Sequence, residues 1–255
     1  MKNLFDLSGK VAVVTGASSG LGVQFAKALA NQGADIALVA RRVDRLNSVK
    51  AEIEAIGVRC IAVRCDVSQP EEITDAVRTI VDYFGTIDIL VNNAGLGLVG
   101  PAESQTNDLW NTMMSVNING VYYFAREVGQ VMLEKQYGRI INIGSIHSSV
   151  SMNGATMTAY CTTKGAVEML TKSLATEWAK ENITVNAIGP GYFPSEMTDD
   201  LLADESFQQV VNAYCPMGRT GKDGELDGAL VYFASDAATY TTGQLLTIDG
   251  GWTAI

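Results

Sequence analysis

Basic residues are scarce and dispersed. The 18 lysines and arginines face 28 acidic residues, the net charge is −10, and no basic run exceeds the pair Arg41-Arg42. That removes the electrostatic footprint expected of a nucleic-acid-binding protein. No apolar run approaches the roughly 20 residues that a membrane-crossing helix needs. The opening stretch M-K-N-L-F-D-L-S-G-K lacks the apolar core of a secretory signal. A cytoplasmic protein without membrane association is expected. Cysteines number four, at positions 60, 65, 161 and 215, and their spacing is not that of a chelating site, so no metal is expected. Cys60 and Cys65 fall on one predicted strand, where an odd separation sends them to opposite faces. Cys161 reads as a small helix filler, and unpaired thiols fit a reducing compartment. Linkers, repeats and low-complexity tracts are also missing, so residues 1–255 read as one domain.

What is present is an alternation of short apolar runs and helical periodicity. K-V-A-V-V-T breaks into G-A-S-S-G-L-G, and the helical segment V-Q-F-A-K-A-L-A-N-Q-G ends at Gly33, a C-terminal glycine cap. Strands follow at I-A-L-V-A, C-I-A-V-R-C-D-V, I-D-I-L-V-N-N-A-G, R-I-I-N-I-G-S, I-T-V-N-A-I-G-P-G and Q-L-L-T-I-D-G-G. Helices are predicted near 43–56, 70–84 and 107–136, with another beginning near Thr158. Near-continuous apolar strands alternating with helices predict an α/β fold: a doubly wound parallel sheet of about seven strands, helices on both faces.

Gly16, Gly20 and Gly22 follow the first strand and open a helix. Glycines there let the backbone approach a pyrophosphate, and the helix N-terminus presents free N–H groups and a positive dipole to it. A dinucleotide's ribose belongs at the carboxyl end of the second strand. Asp35 starts that strand and so lies at the wrong end. Arg41 and Arg42 stand at the right end, and two guanidiniums suit a 2′-phosphate. NADP is therefore favoured over NAD.

Further along, T-A-Y-C-T-T-K places Tyr160 and Lys164 four residues apart on a helix, on one face. Val167, Leu170, Leu174 and Trp178 define the core stripe of that helix, and the pair falls on its inward edge. An adjacent ammonium favours phenolate, and a shift of ~3 units, worth ~4 kcal/mol, would turn the phenol into a base near neutral pH.

In these motifs the chain resembles the short-chain dehydrogenase/reductase family, and the resemblance covers nearly all of it. T-G-A-S-S-G-L-G resembles the family's cofactor loop, N-N-A-G the motif ending its fourth strand, and Tyr160-x-x-x-Lys164 its catalytic pair. Asn117 in V-N-I-N-G and Ser145 match its active-site asparagine and serine. The resemblance implies a Rossmann fold and hydride transfer between a nicotinamide and an alcohol or ketone. Tyr160 would be the acid/base and Ser145 would bond the substrate oxygen. Lys164 would hold ribose hydroxyls, and Asn117 would hold a water linking Lys164 to solvent. It extends the cofactor site over Gly16, Ser18, Ser19, Gly20, Leu21, Gly22, Arg41, Arg42, Asp66, Val67, Asn93, Ala94, Gly95, Tyr160, Lys164, Pro190, Gly191, Phe193 and Ser195. It also implies a homotetramer. One departure is the fifteen-residue step from Ser145 to Tyr160, about two longer than usual for the family, which makes Ser148 a competitor for the serine role.

The substrate is a small molecule, with Ser145, Tyr160, His147, Tyr192 and Met197 as candidate contacts. N-A-I-G-P-G-Y-F-P-S-E-M-T is most similar to the gluconate 5-dehydrogenase branch, which implies a sugar acid or polyol. A sugar acid would want a cation near the lid, for which Arg219 or Lys222 would serve. A steroid would want an apolar cleft, for which Met152, Met157, Tyr192, Phe193 and Met197 would serve, and a 3-oxoacyl thioester is a third option. A non-catalytic NADP-binding sensor would have lost Ser145, Tyr160 or Lys164, and none is lost. Residues 192–222 are predicted to form a lid, with Met197, Leu201, Leu202 and Phe207 as its apolar underside.

Overall fold

The computed structural model describes residues 3–255. Seven strands form one parallel sheet in the order β3-β2-β1-β4-β5-β6-β7. They are β1 (Val11–Thr15), β2 (Asp35–Ala40), β3 (Cys60–Arg64), β4 (Ile89–Asn92), β5 (Gly138–Ile143), β6 (Ile183–Pro190) and β7 (Leu245–Ile248). The order reverses direction between β1 and β4, the switch point at which a sheet of this kind opens a crevice beyond its carboxyl ends. No helix among the described residues is long and apolar enough to cross a membrane.

Period-two alternation sorts the strand residues between two layers. Ala12, Val14, Ile36, Leu38 and Cys60 join one core under α1 (Gly20–Asn31), α2 (Val43–Glu54) and α9 (Asp227–Ala234). Val13, Ala37, Val39, Val63 and Cys65 join the other, under α3 (Pro70–Phe84), α5 (Val121–Lys135) and α6 (Thr158–Trp178). Cys60 and Cys65 thus do lie on opposite faces, and burial pushes both thiols up to about 12. The stripe of α6 is as read from the sequence: Val167 and Leu174 are buried, and Leu170 and Trp178 pack against the second core.

Local chemistry sets the element ends. α3 begins with proline in its first turn followed by Glu71 and Glu72, and stops at Gly85 in the left-handed region (φ 82°). Gly33 (φ 92°) likewise follows α1.

Three departures from the expected elements matter. The predicted 107–136 helix is α4 (Asn107–Met114), then a wider π-type turn over Ser115–Gly120, then α5. α9 was not foreseen because its segment is apolar on all sides, which buries a helix without leaving an amphipathic period. Residues 192–222 contain α7 (Asp199–Leu202) and α8 (Glu205–Tyr214), whose buried side is Leu202, Phe207 and Val211, while Met197 and Leu201 are exposed.

Candidate active site

The carboxyl ends of the strands surround a cavity of about 500 Å³. Its floor is the glycine turn after β1. Gly16 has φ 68°, and a Cβ there would stand 2.9 Å from Ala94 Cα; one on Gly22 would stand 2.3 Å from the Gly16 carbonyl oxygen. Only glycine permits this approach of loop, helix and β4. Thr15 Oγ1 accepts from the N–H groups of Asn93 and Ala94 (3.0 Å each), and Asn93 Nδ2 donates to Thr15 O (2.9 Å), so the β4 end is stapled to the loop. α1 starts with no side chain capping it and no acidic residue in its first turn. Its first donors and its dipole therefore suit an exogenous anion. The floor fits a nucleotide pyrophosphate.

At the end of β2 the two arginines diverge. Arg42 donates to Ser18 Oγ (3.1 Å) and Ser19 Oγ (2.6 Å), and bonds Glu196 Oε2 at 2.8 Å. Arg41 leans toward Asp66, 3.8 Å away. Asp35 is indeed at the opposite end of β2, where it holds Arg59 (2.6 Å).

Beyond the floor, the Ser145 hydroxyl faces the Tyr160 phenol, and both line the cavity. Ser145 is fixed because its Oγ accepts from His147 N (3.1 Å), while Ser148 Oγ accepts from Ser145 N (3.2 Å). Ser148 is thus the cap that holds Ser145, and of the two serines it is Ser145 that stands beside the phenol and lines the cavity. Lys164 is buried, donates to Ile143 O (2.8 Å), and stands 5.7 Å from the Tyr160 ring centre. Burial lowers the Lys164 ammonium to about 8 and raises the Tyr160 phenol, which the neighbouring Ser145 hydroxyl offsets only in part.

Asn117 lies in the π-type turn and is buried. Its Oδ1 accepts from Leu96 N (2.8 Å), and its Nδ2 donates to Leu96 O (2.9 Å) and Thr163 Oγ1 (3.1 Å). Rather than lining the cavity, it clamps the segment that follows Gly95 to α6.

His147 is buried with Nδ1 3.1 Å from Val150 O and Nε2 3.3 Å from the Tyr192 hydroxyl. A carbonyl at Nδ1 requires the proton there, so Nε2 accepts from Tyr192. Burial lowers the His147 pKa, keeping the ring neutral. The ring also meets Tyr160 edge-on at 6.1 Å. Tyr192 lines a second cavity of about 320 Å³ with Phe193, Cys215, Arg219 and Trp252. Arg219 pairs there with Glu225 (2.8 Å), and the backbone N–H of Lys222 donates to the same carboxylate. Of the apolar candidates, Phe193 and Met197 line the first cavity, and Met152 packs on the α8 cluster instead.

Residues 16–253 match the protein family described as enoyl-(acyl carrier protein) reductase. The chain is 40% identical over 251 residues to gluconate 5-dehydrogenase of Gluconobacter oxydans, covering 98% of this chain and 97% of that one. The chain belongs to the short-chain dehydrogenase/reductase family. Within it, 5-keto-D-gluconate 5-reductase of Escherichia coli K12 is 37% identical, with 98% of each chain covered. The structure of a gluconate 5-dehydrogenase from Burkholderia cenocepacia in complex with NADP and tartrate superposes with a TM-score of 0.95 at 35% identity, over 99% and 98% of the two chains.

Every predicted cofactor residue of this short-chain dehydrogenase/reductase lines the first cavity, as do Ser145 and Met197; Asn117, His147 and Tyr192 stand behind or beside it. Sequence reasoning missed Thr15, Leu96, Glu196 and Arg45. Thr15 carried a signal, since it is the last strand residue before the glycine turn. Arg45 and Glu196 carried none, because their contact joins residues 151 positions apart.

Proposed function

We propose that this oxidoreductase is an NADP(H)-dependent enzyme interconverting a secondary alcohol and a ketone, with a sugar acid or polyol as substrate. The observation that carries the reading is Tyr160, beside Ser145 and next to Lys164, at the end of a cavity whose floor is a glycine turn with an uncapped helix N-terminus. The NADP in the Burkholderia relative and the arginines after β2 support the phosphorylated nucleotide. When bound, NADPH supplies the hydride. The chain supplies the proton: a phenol held above its usual pKa is protonated at neutral pH and so is ready to act as an acid toward the ketone oxygen. Ser145 bonds that same oxygen as negative charge develops on it. Giving up that proton leaves a phenolate, which the Lys164 ammonium favours, and in the reverse direction this phenolate takes the alcohol's proton and returns to the phenol.

The keto-acid and sugar-acid relatives support the substrate class. Besides Lys164, the polar groups near Tyr160 include the Ser145 hydroxyl and one neutral imidazole, which complement a polyhydroxylated carbon chain. An NADPH-oxidation screen separates the options. 5-Keto-D-gluconate should be reduced far faster than a ketosteroid or a 3-oxoacyl thioester, and a preference for either of the latter would overturn the substrate reading.

Residues 192–222 act as a substrate lid in this reading, supported by Met197, which covers Gly97 so closely that a Cβ there would meet its sulfur at 2.8 Å. Hydrogen exchange in this segment that ligand leaves unchanged would refute it. A cytoplasmic homotetramer is the matching assembly, supported by four unpaired thiols and by Trp110, Tyr122 and Met169 exposed on α4, α5 and α6. Equilibrium sedimentation showing monomer alone at micromolar concentration would contradict it.

A further inference from the structure

Next to the end of β2 the chain has built an anion site and filled it with its own carboxylate. Glu196 Oε2 accepts from Arg42 Nη2 and from Ser19 Oγ, both at 2.8 Å, and Oε1 accepts from Arg42 Nη1 at 3.2 Å and from Arg45. Arg42 in turn is oriented by Ser18 and Ser19. Two guanidiniums and a hydroxyl converging on one point form a donor set that accepts a carboxylate or a phosphate alike.

Glu196 arrives from a strap over the cavity mouth. A Cβ on Gly20 would lie 3.2 Å from Ser195 Cβ, and one on Gly97 would lie 2.8 Å from Met197 Sδ, so residues 195–197 cross between these two glycines. All three charged side chains remain about half exposed, at 43% for Arg42, 52% for Arg45 and 46% for Glu196. Water can therefore replace the carboxylate's partners when it swings out, and each such exposed contact is individually weak. Its partners hold Glu196 down to about 2, so it is ionised throughout the neutral range.

We propose that Glu196 is a nucleotide-selectivity residue: its carboxylate competes with the 2′-phosphate for the site formed by Ser19, Arg42 and Arg45. The inference rests on the NADP(H) reading above and deepens it. A nucleotide bearing the 2′-phosphate has to displace Glu196 from its arginines. A nucleotide with a free 2′-hydroxyl leaves that pairing in place. Glu196 thus narrows the preference that Arg42 and Arg45 create, and it couples release of the strap to the phosphorylated cofactor.

Calorimetric titration of the full chain with adenosine 2′,5′-bisphosphate and with 5′-AMP tests this without catalysis. Glu196→Gln should bind the bisphosphate about 3–10-fold tighter, the scale of one or two exposed ion pairs, with 5′-AMP affinity changed less than about twofold. Glu196→Ala should move the same way, and Arg42→Gln should weaken the bisphosphate selectively. Unchanged or weaker bisphosphate binding in both Glu196 variants, with the Arg42→Gln loss intact, overturns the role of Glu196 and leaves the NADP(H) reading standing. A wild-type chain that does not prefer the bisphosphate, and an Arg42→Gln change that does not matter, overturn both.

Discussion

At the amino end of the sheet, Asp88 is fully buried and every direction around it is occupied: Val11 N donates at 3.0 Å, Lys135 Nζ at 2.6 Å, and Lys10 stands 3.8 Å away. Nearby, buried Arg139 donates to Gly138 O and Asn182 O, faces Asp236 at 3.7 Å, and lies over the Tyr137 ring. At the carboxyl end, Lys164 is just as buried, yet uses one of its three donors on Ile143 O and keeps no carboxylate beside it. Tyr160 has only Ser145, and the first turn of α1 has no cap. Buried polar groups are costly unless partnered. Around Asp88 that cost is met within the chain, which contributes stability, while Arg139 Nε and Thr184 Oγ1 are the buried side-chain atoms that go without a partner among the described residues. At the carboxyl end Lys164 keeps donors to spare and α1 has an uncapped first turn, both facing the cavity.

The largest effect that would sharpen this contrast belongs to Tyr160→Phe. Removing the hydroxyl while keeping the ring should lower turnover by ~10²–10⁴, as general acid–base loss does, with NADPH affinity and melting temperature nearly unchanged. Steady-state kinetics, nucleotide titration and thermal unfolding check the three parts.

Asp88→Ala should do the reverse. It strands the Val11 N–H in the interior, and the two lysines it held are free to turn to water, so the loss is about 2–3 kcal/mol of unfolding free energy. Urea denaturation measures it, and turnover per folded molecule should stay within about twofold.

The smallest effect is on the pH dependence of stability. Burial places Lys164 at about 8 in the folded chain, below its unfolded value of ~10.4. Between those values the unfolded chain binds the extra proton, so Lys164 by itself makes stability rise with pH, by at most about 1.4 kcal/mol per unit. Cys60 and Cys65, held up at about 12, pull the other way from their ordinary ~8.5 upward, and Tyr160 joins them past ~10. Lys164→Met should therefore make the slope of stability against pH more negative between pH 8 and 10 than in the wild type, and a slope equal to that of the wild type would place the ammonium in water.

Much of this was legible in the sequence because it is local. Apolar runs marked strands, glycines after β1 marked the phosphate floor, and the four-residue step from Tyr160 to Lys164 placed both on one face. What was not legible depends on distant pairing. Glu196 meets Arg42 across 154 positions, and His147 meets Tyr192 across 45. The wide turn over Ser115–Gly120 interrupts what reads as one helix over 107–136. The upward shift of Tyr160 is not legible either, because it comes from burial in the packed structure, whereas sequence spacing reveals only the neighbouring lysine.

The most direct test of the division between the two ends measures turnover and unfolding free energy on the same preparations of wild type, Tyr160→Phe and Asp88→Ala. Turnover lost with stability kept in the first variant, and stability lost with turnover kept in the second, is the predicted result. Tyr160→Phe retaining more than half its activity, or Asp88→Ala losing turnover in step with stability, would contradict it.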